Sequence, residues 1–313
     1  MAPFSWLLQR AHRAAELRAP PPAPAPIPSI VPEEPRQRSE AGELEAAFEV
    51  LRKHAADERL AGKIFDRVVD DVVRPWHGAV YWGDRLLSID KSAGFMKVPG
   101  FDALLAEVDP GKGCNQYASP DRLSWRLHLM FWASSRAYKV QGDFVECGVT
   151  HGDMPWIITE LFDFPKAGKR FFGFDTFEGF DSRYSSEQDF PDDPRFFYRL
   201  HEESRADPHR YDKVAKRFAG KSYVKIIRGV VPDILGEHAP EKVAFLHLDM
   251  NAPLASRGAL EFLFDRFSRG AVVVMDDYGW IQYRREKEVA DEFFAARGYG
   301  VLELPTGQGL VII

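Results

Sequence analysis

Three aspartates are the residues in this sequence whose types and spacing are best suited to chemistry. Asp249 ends one apolar run, and the adjacent pair Asp276 and Asp277 ends another. Two carboxylates about 4 Å apart repel by about 4 kcal/mol at an effective dielectric constant near 20. The cluster therefore predicts one of two arrangements. Either a carboxylate takes a proton, or a divalent cation binds to Asp249, Asp276 and Asp277 through their oxygens.

A cation at this position would hold a substrate hydroxyl and lower the pKa of that hydroxyl. A general base must then accept the proton. Asp249 is the best-placed base, because it ends its strand beside the predicted cation. His247, two residues earlier, is the weaker candidate, because its strand is expected to be buried. Asp249 and His247 are the predicted catalytic residues.

A glycine-spaced turn follows the apolar run Phe144–Cys147. Glu146 lies near the end of this run, Gly148 and Gly152 come next, and Asp153 can serve as the N-cap of a helix. Glycines allow the backbone to approach a nucleotide-like cofactor closely. The spacing is Gly-x-x-x-Gly and not Gly-x-Gly-x-x-Gly, so the turn alone fits an ordinary strand–helix connection equally well.

Asp175 supplies the second half of a cofactor site. It ends the next predicted strand, about 20–30 residues after the glycine turn, where an acid can hold a ribose diol. Ligands of α/β sheets lie beyond the carboxyl ends of the strands, so the polar residues at those ends are predicted to form one site. The predicted cofactor-binding residues are Glu146, Cys147, Gly148, Thr150, Gly152, Asp175, Thr176, Phe177, Gly229 and Asp249.

A sheet must bring these residues together, and strand and helix patterns alternate from Gly142 onward. Strands are predicted at Phe144–Cys147, Arg170–Asp175, Tyr223–Arg228, Val243–Asp249, Ala271–Met275, Val301–Leu304 and Leu310–Ile313. Helices are predicted at Met154–Phe164, Leu254–Phe267 and Glu286–Arg297. This pattern indicates a doubly wound, mostly parallel α/β sheet of seven strands. Only Pro305–Gly309 joins the last two strands, so the last strand is predicted to be antiparallel.

Two further regions accompany the predicted sheet domain, residues 141–313. Residues 43–140 predict a helical extension, with two helices before Pro75 and others at Phe101–Val108 and Ser124–Tyr138. Residues 1–42 predict a disordered tail and a proline-rich linker, because eight of the 22 prolines lie between Pro20 and Pro35. The start of this tail fits either a frayed helix or a membrane-surface or targeting helix. Within the sheet domain, Asp181–Ala219 predicts either a lid with a helix near Asp207–Phe218 or a solvated insertion.

Composition excludes several classes of function. The net charge of −6 and the isoelectric point near 5.9 do not favour nucleic acid or an anionic membrane as a partner. Two cysteines, Cys114 and Cys147, cannot form a disulfide framework or a zinc cluster. No apolar run approaches the roughly 20 residues of a membrane span. The expectation is a cytoplasmic protein that has no transmembrane segment and can form a homo-oligomer.

Four motifs in order resemble those of the macrocin O-methyltransferase (TylF-type) family. They are Gly142–Val149, Phe174–Gly179, Leu246–Asn251 and Val274–Gly279, and the similarity extends from about Tyr81 to Ile313. The resemblance implies the Rossmann-like fold of class I methyltransferases. It also implies magnesium-assisted transfer of a methyl group from S-adenosylmethionine to a hydroxyl of a sugar, glycan or glycosylated natural product. Characterised members read Asp-x-Asp where this chain has Asp249-Met250-Asn251, and Gly-Gly where it has Gly270.

Two other classes share parts of this pattern. A nucleotide-sugar dehydrogenase or epimerase would show Gly-x-Gly-x-x-Gly and a Tyr-x-x-x-Lys pair on a helix, and neither stands in the expected place. A non-catalytic protein that binds S-adenosylmethionine would keep Glu146, Gly148 and Asp175, but it would have no need for the aspartate cluster. The presence of that cluster favours the enzyme.

Overall fold

A computed structural model describes residues 40–54, 58–78, 80–98, 100–108 and 123–313. The chain divides into two compact units, residues 1–102 with 111–123 and residues 103–110 with 124–313. The predicted tail and linker lie outside the described residues, except that Glu40–Gly42 already belong to a helix, and Cys114 also lies outside them. None of the helices in the described ranges has both the length and the apolar character needed to cross a bilayer.

The first unit consists of helices followed by a β-hairpin. Helices α1 (Glu40–His54) and α2 (Glu58–Val68) lead through a π turn and a 3₁₀ turn into strands β1 (Val80–Gly83) and β2 (Leu86–Ile89). The ring of Phe65 packs on Trp82 at a centroid distance of 4.8 Å, and Nε1 of Trp82 donates a hydrogen bond to Asp66 at 2.7 Å. The predicted helices before Pro75 are present. Helix α3 covers Phe101–Val108, as predicted.

The second unit contains the predicted sheet. Its strands are β3 (Asp143–Cys147), β4 (Phe171–Asp175), β5 (Val224–Arg228), β6 (Val243–Leu248), β7 (Phe267–Met275), β8 (Leu302–Glu303) and β9 (Gly309–Ile312). In the described part of the chain they form a seven-stranded sheet in the order β5-β4-β3-β6-β7-β9-β8. Strands β3 to β7 are parallel, and β9 is antiparallel to both β7 and β8. The predicted fold class and the antiparallel last strand are confirmed.

The second unit also contains helices. They are α4 (Ser124–Ala137), α5 (Asp153–Leu161), α6 (Phe164–Ala167), α7 (Pro194–Arg205), α8 (Arg210–Phe218), α9 (Leu235–His238), α10 (Pro253–Leu263) and α11 (Arg284–Ala295). Alternate residues of a strand point to opposite faces. Val145 and Cys147 therefore join the apolar cluster of α10 and α11, whereas Phe144 joins the cluster of α4 and α6. Glu146 is on the same face as Phe144, at the carboxyl end of its strand.

Three local predictions differ from the structure. Gly152, at φ 75°, is the N-cap of α5, and Asp153 is its first residue, with its carboxylate 2.6 Å from Arg217. The helix predicted to run to Phe267 ends at Leu263, because β7 begins earlier than its apolar core suggests. The predicted lid segment contains two helices, α7 and α8, where the sequence analysis predicted one.

Candidate active site

The carboxyl ends of β3, β4, β5 and β6 border an open cleft. Its wall contains most of the predicted cofactor residues, namely Gly148, Thr150, Asp175, Thr176, Phe177, Gly229 and Asp249. The segment between β4 and β5 contributes further wall residues, namely Gly179, Phe180, Asp181, Tyr184, Leu200, Ser204 and Arg210. The cleft therefore lies where the sequence analysis predicted the ligand, and the predicted lid segment forms part of it.

Three predicted cofactor residues are not in the wall of this cleft. Cys147 is fully buried in the apolar core, and burial raises the pKa of its thiol far above the usual value. Gly152 packs against α8, where an added Cβ would lie 3.0 Å from the ring of Phe218. Glu146 is buried beside His247. These residues support the site from behind the cleft wall.

Gly148 is required where the glycine turn meets the end of β6. Its φ is 94°, and an added Cβ would lie 1.9 Å from the carbonyl oxygen of Asp249. The two backbones are also joined by a hydrogen bond of 2.8 Å from the amide of Asp249 to the carbonyl of Cys147. Only glycine combines this φ with such a close approach.

Asp175 fixes the turns that follow β3 and β4. Its Oδ2 accepts hydrogen bonds of 2.8 Å from the amides of Val149 and Thr150, and its Oδ1 accepts one of 2.6 Å from the amide of Phe177. Thr150 and Phe177 have φ values of 49° and 55°, which are uncommon for non-glycine residues. A carboxylate offers about four acceptor positions, so Asp175 retains capacity for about one further hydrogen bond.

A buried polar network lies beneath the cluster of acids. Nδ1 of His247 is 2.7 Å from Oε1 of Glu146, and its Nε2 is 3.5 Å from Oδ1 of Asp276. Asp276 also accepts a hydrogen bond from Arg126 on α4 and one of 2.8 Å from Nε2 of Gln308. Glu146, His247 and Asp276 are all at most 5% exposed. The network therefore joins β3, β6, β7 and the loop before β9.

The charges in this network determine how His247 behaves. Burial opposes the charged imidazolium, but hydrogen bonds to Asp276 and Glu146 outweigh it and raise the pKa of His247 to about 10. Burial likewise opposes a charged Asp276, yet Arg126 and His247 hold the pKa of Asp276 well below its usual range. His247 is thus held between two acids, Glu146 and Asp276. Its role as the weaker candidate for the base stays a prediction.

Asp249 and Asp277 behave differently from Asp276. Burial and the charge of Asp276 raise the pKa of Asp249 to about 7, although His247 and Arg126 partly oppose the rise. Burial and the charges of Asp276 and Asp249 raise the pKa of Asp277 well above its usual value. The predicted repulsion within the cluster is therefore present. The protein itself supplies two cations, Arg126 and His247, and both stabilise Asp276 in particular.

A smaller cavity adjoins the acids. Asp249, Asn251, Asp277 and Glu286 are among its lining residues. Oδ1 of Asn251 is buried with no hydrogen-bond partner among the described residues, and φ of Asn251 is 52°. Burial raises the pKa of Glu286 to about 7, even though Ser256 donates a hydrogen bond to it. Oxygen atoms with unsatisfied acceptor capacity therefore face this cavity.

Among the described residues, the side chains that bring potential metal ligands within 4.8 Å of one another are His247, Asp249 and Asp276. A protonated imidazole has no lone pair for a metal, and the hydrogen bonds of His247 favour that form. Two carboxylates of the predicted triad, Asp249 and Asp277, are free of these bonds to Arg126 and Gln308. They fit a hard cation better than Asp276 does.

Sequence analysis did not identify Arg126, Gln308 or Arg210 as site residues. Arg126 lies 150 positions before its partner Asp276, inside a helix whose aromatic pattern indicated only packing. Gln308 lies in the short link that was used to predict the antiparallel strand. Arg210 lies within the predicted lid segment. No spacing rule connects any of the three to the acids, because tertiary packing alone brings them there.

Comparisons with known proteins agree with this architecture. A family model described as macrocin-O-methyltransferase (TylF) matches residues 129–299, which is more than half of the chain. The solved structure of the O-methyltransferase NovP is 18% identical, with a TM-score of 0.52 over 82% of this chain and 99% of that one. The structure of CalS11, a calicheamicin methyltransferase, is 17% identical, with a TM-score of 0.46 over 71% and 93%. A search of curated proteins finds no match.

Proposed function

The chain belongs to the macrocin-O-methyltransferase (TylF) family, and from this premise we propose that it methylates a hydroxyl group of a sugar, a glycan or a glycosylated natural product. The methyl donor is S-adenosylmethionine. The observation that carries the proposal is the cleft at the carboxyl ends of the strands, which has Asp175 and Asp249 in one wall. Asp175 can bind the nucleoside of the donor, and Asp249 can accept the proton of the reacting hydroxyl.

The donor binds over the ends of β3 and β4 in this proposal. Gly148 lies in the cleft wall at the turn, and Asp175 keeps acceptor capacity for a ribose hydroxyl. Thr150, Thr176, Phe177 and Gly229 complete this part of the wall. Glu146, Cys147 and Gly152 act indirectly, because they position the strand end and the turn.

Asp249 is the proposed general base. Asp249 lines both cavities, so it lies where it can accept a proton from a hydroxyl bound in the cleft. The acceptor oxygen attacks the methyl carbon of the sulfonium while the bond from that carbon to sulfur breaks. The proton of the hydroxyl passes to Asp249, and the donor leaves as S-adenosylhomocysteine. Most of the driving force comes from the sulfonium, so the protein mainly aligns the reactants.

Magnesium is part of the proposal, and Asp249, Asp277 and the amide oxygen of Asn251 would hold it. All three line the small cavity, and the buried Asn251 oxygen has no other partner among the described residues. A bound magnesium ion would stabilise the deprotonated acceptor hydroxyl. Asp276 was also a predicted ligand. We assign it instead to holding Arg126 and Gln308 in place, because its oxygens already accept their hydrogen bonds.

The test is a methyl-transfer assay with trideuteromethyl-labelled S-adenosylmethionine against a panel of sugars, nucleotide sugars and glycosides. Mass spectrometry should detect a product that carries one labelled methyl group on oxygen. Asp249→Asn should lower turnover by a factor of about 10² to 10⁴. Asp265→Asn, at an exposed carboxylate, is the matched control and should keep full activity. Full activity of Asp249→Asn would remove the base from the proposal, and consumption of NAD in place of the methyl donor would remove the proposal itself.

A further inference from the structure

Arg210 is a buried cation in the wall of the cleft that the proposed mechanism leaves without a role. It is the first residue of α8, and only 7% of its surface is exposed. It lines the cleft together with Thr150, Asp175 and Ser204. Arginine is almost never fully buried unless it is paired, so its partners need explanation.

The partners of Arg210 account for two of the three nitrogens of its guanidinium group. Nη1 donates to the carbonyl of Ser204 at 2.8 Å, and Nη2 donates to the carbonyl of Glu203 at 2.9 Å. Both carbonyls belong to the last turn of α7, where the helix dipole is negative and favours a cation. Within the described residues, Arg210 forms no ion pair with a carboxylate, and its Nε–H has no acceptor. A buried donor without an acceptor is uncommon in folded proteins.

Asp175, in the same cleft wall, has limited capacity to bind the ribose. Three backbone amides already use its oxygens, and it has capacity for about one more hydrogen bond. The ribose of the proposed cofactor offers two neighbouring hydroxyls. Asp175 can therefore accept from one of them, and the site still needs a polar partner for the ribose.

We propose that Nε–H of Arg210 donates to a ribose hydroxyl of the cofactor, opposite Asp175. This inference rests on the proposed function, since it assumes that the cleft binds the nucleoside of S-adenosylmethionine. Through its other nitrogens, Arg210 would also connect the bound cofactor to the end of α7. The segment between β4 and β5 would then contact the bound cofactor through the side chain of Arg210.

The experiment measures the affinity of S-adenosylhomocysteine and of its 2′-deoxy and 3′-deoxy analogues by titration calorimetry. It compares the wild-type chain with Arg210→Met and with Arg210→Lys, which keeps the positive charge beside α7 but lacks the Nε donor. Lys216→Met, at an exposed cation on the same helix, is the matched control. If Arg210→Met does not fold, Arg210→Lys provides the same comparison.

The Arg210 variants should bind S-adenosylhomocysteine about ten- to one-hundred-fold more weakly, as expected for the loss of one hydrogen bond from a charged donor. One deoxy analogue should bind these variants as well as S-adenosylhomocysteine does, because its missing hydroxyl is the partner of Arg210. Lys216→Met should bind all three ligands like the wild type.

Two results would overturn the inference while leaving the proposed function intact. The first is unchanged affinity for S-adenosylhomocysteine in both Arg210 variants. The second is an equal loss of affinity for all three ligands, which would indicate a purely structural role for Arg210. Failure of the folded wild type to bind any of the three ligands would instead refute the proposed function, and the inference would be refuted with it.

Discussion

Replacement of Arg126 by methionine tests the electrostatic account of the acid cluster most severely. Arg126 and Asp276 have side chains only 14% and 7% exposed, so solvent screens their ion pair weakly. Removing one partner of a buried pair costs about 3–5 kcal/mol, because it leaves a buried charge uncompensated. His247 and Gln308 would still hold Asp276 in the variant, which favours the lower end of that range.

Protonation of Asp276 sets an independent upper limit on the stability that Arg126→Met can lose. If the carboxylate took a proton at pH 7 from an ordinary pKa near 3.9, the cost would be about 4 kcal/mol. Arg126→Met should therefore lower the free energy of unfolding by about 3–4 kcal/mol at pH 7. Urea unfolding followed by circular dichroism measures this difference. Arg136→Met, at an exposed arginine of the same helix, should change it by no more than about 0.5 kcal/mol.

The pH dependence of this loss provides the check on its cause. The folded protein holds the pKa of Asp276 below its usual value, so the stabilisation is present above the unfolded pKa and is lost as pH falls towards the folded one. The difference between wild type and Arg126→Met should therefore shrink below about pH 4. Two results would show that the ion pair does not stabilise the fold in this way. One is a loss below about 1 kcal/mol at pH 7, and the other is an equal loss at pH 7 and below about pH 4.

Three further predictions concern the surrounding residues. Since the pKa of His247 is raised from 6.5 to about 10, its stabilisation is complete below pH 6.5 and is lost as pH rises to 10. Urea unfolding at pH 7 and pH 10 should show a smaller pH effect in His247→Gln than in wild type, and equal effects would contradict the assignment. Gly148→Ala should lower the melting temperature more than Gly168→Ala does, because at Gly168 φ is 63° but an added Cβ meets nothing within 4 Å. Similar melting temperatures for the two variants would refute the close-approach argument. Excess chelator should abolish turnover and leave the affinity for S-adenosylhomocysteine within about twofold, because the carboxylates bind cations separately from the nucleoside. Turnover that persists in chelator would exclude magnesium.

The arrangement of the sheet was predictable because its signals are local. Apolar runs such as Phe144–Cys147 mark buried strands, and a five-residue link can only form a hairpin. The same reasoning placed Asp175 and Asp249 at one edge of the sheet, since parallel strands end together. The ends of helices were harder to predict. At α5, for example, Gly152 and not Asp153 is the N-cap, because Arg217 takes the carboxylate.

The charge balance of the site could not be predicted in the same way. The sequence shows acids at the strand ends, and from these alone either a protonated carboxylate or a bound cation is expected. The structure adds Arg126 from α4, which pairs with Asp276, and it places His247 between Glu146 and Asp276. These contacts depend on how helices pack on the sheet, over sequence separations that no periodicity records. The roles of Asp249 and Asp277 stay predictions until they are measured.

The most direct test of the central claim is titration calorimetry of the full chain with S-adenosylhomocysteine, because it requires no knowledge of the acceptor. Binding in the micromolar range, about 8 kcal/mol, is the expected result. Asp175→Ala should weaken this binding, because the amides of Val149 and Thr150 lose their acceptor and the ribose loses a partner. A folded wild-type chain that binds neither S-adenosylmethionine nor S-adenosylhomocysteine, but binds NAD, would contradict the assignment of this cleft to methyl transfer.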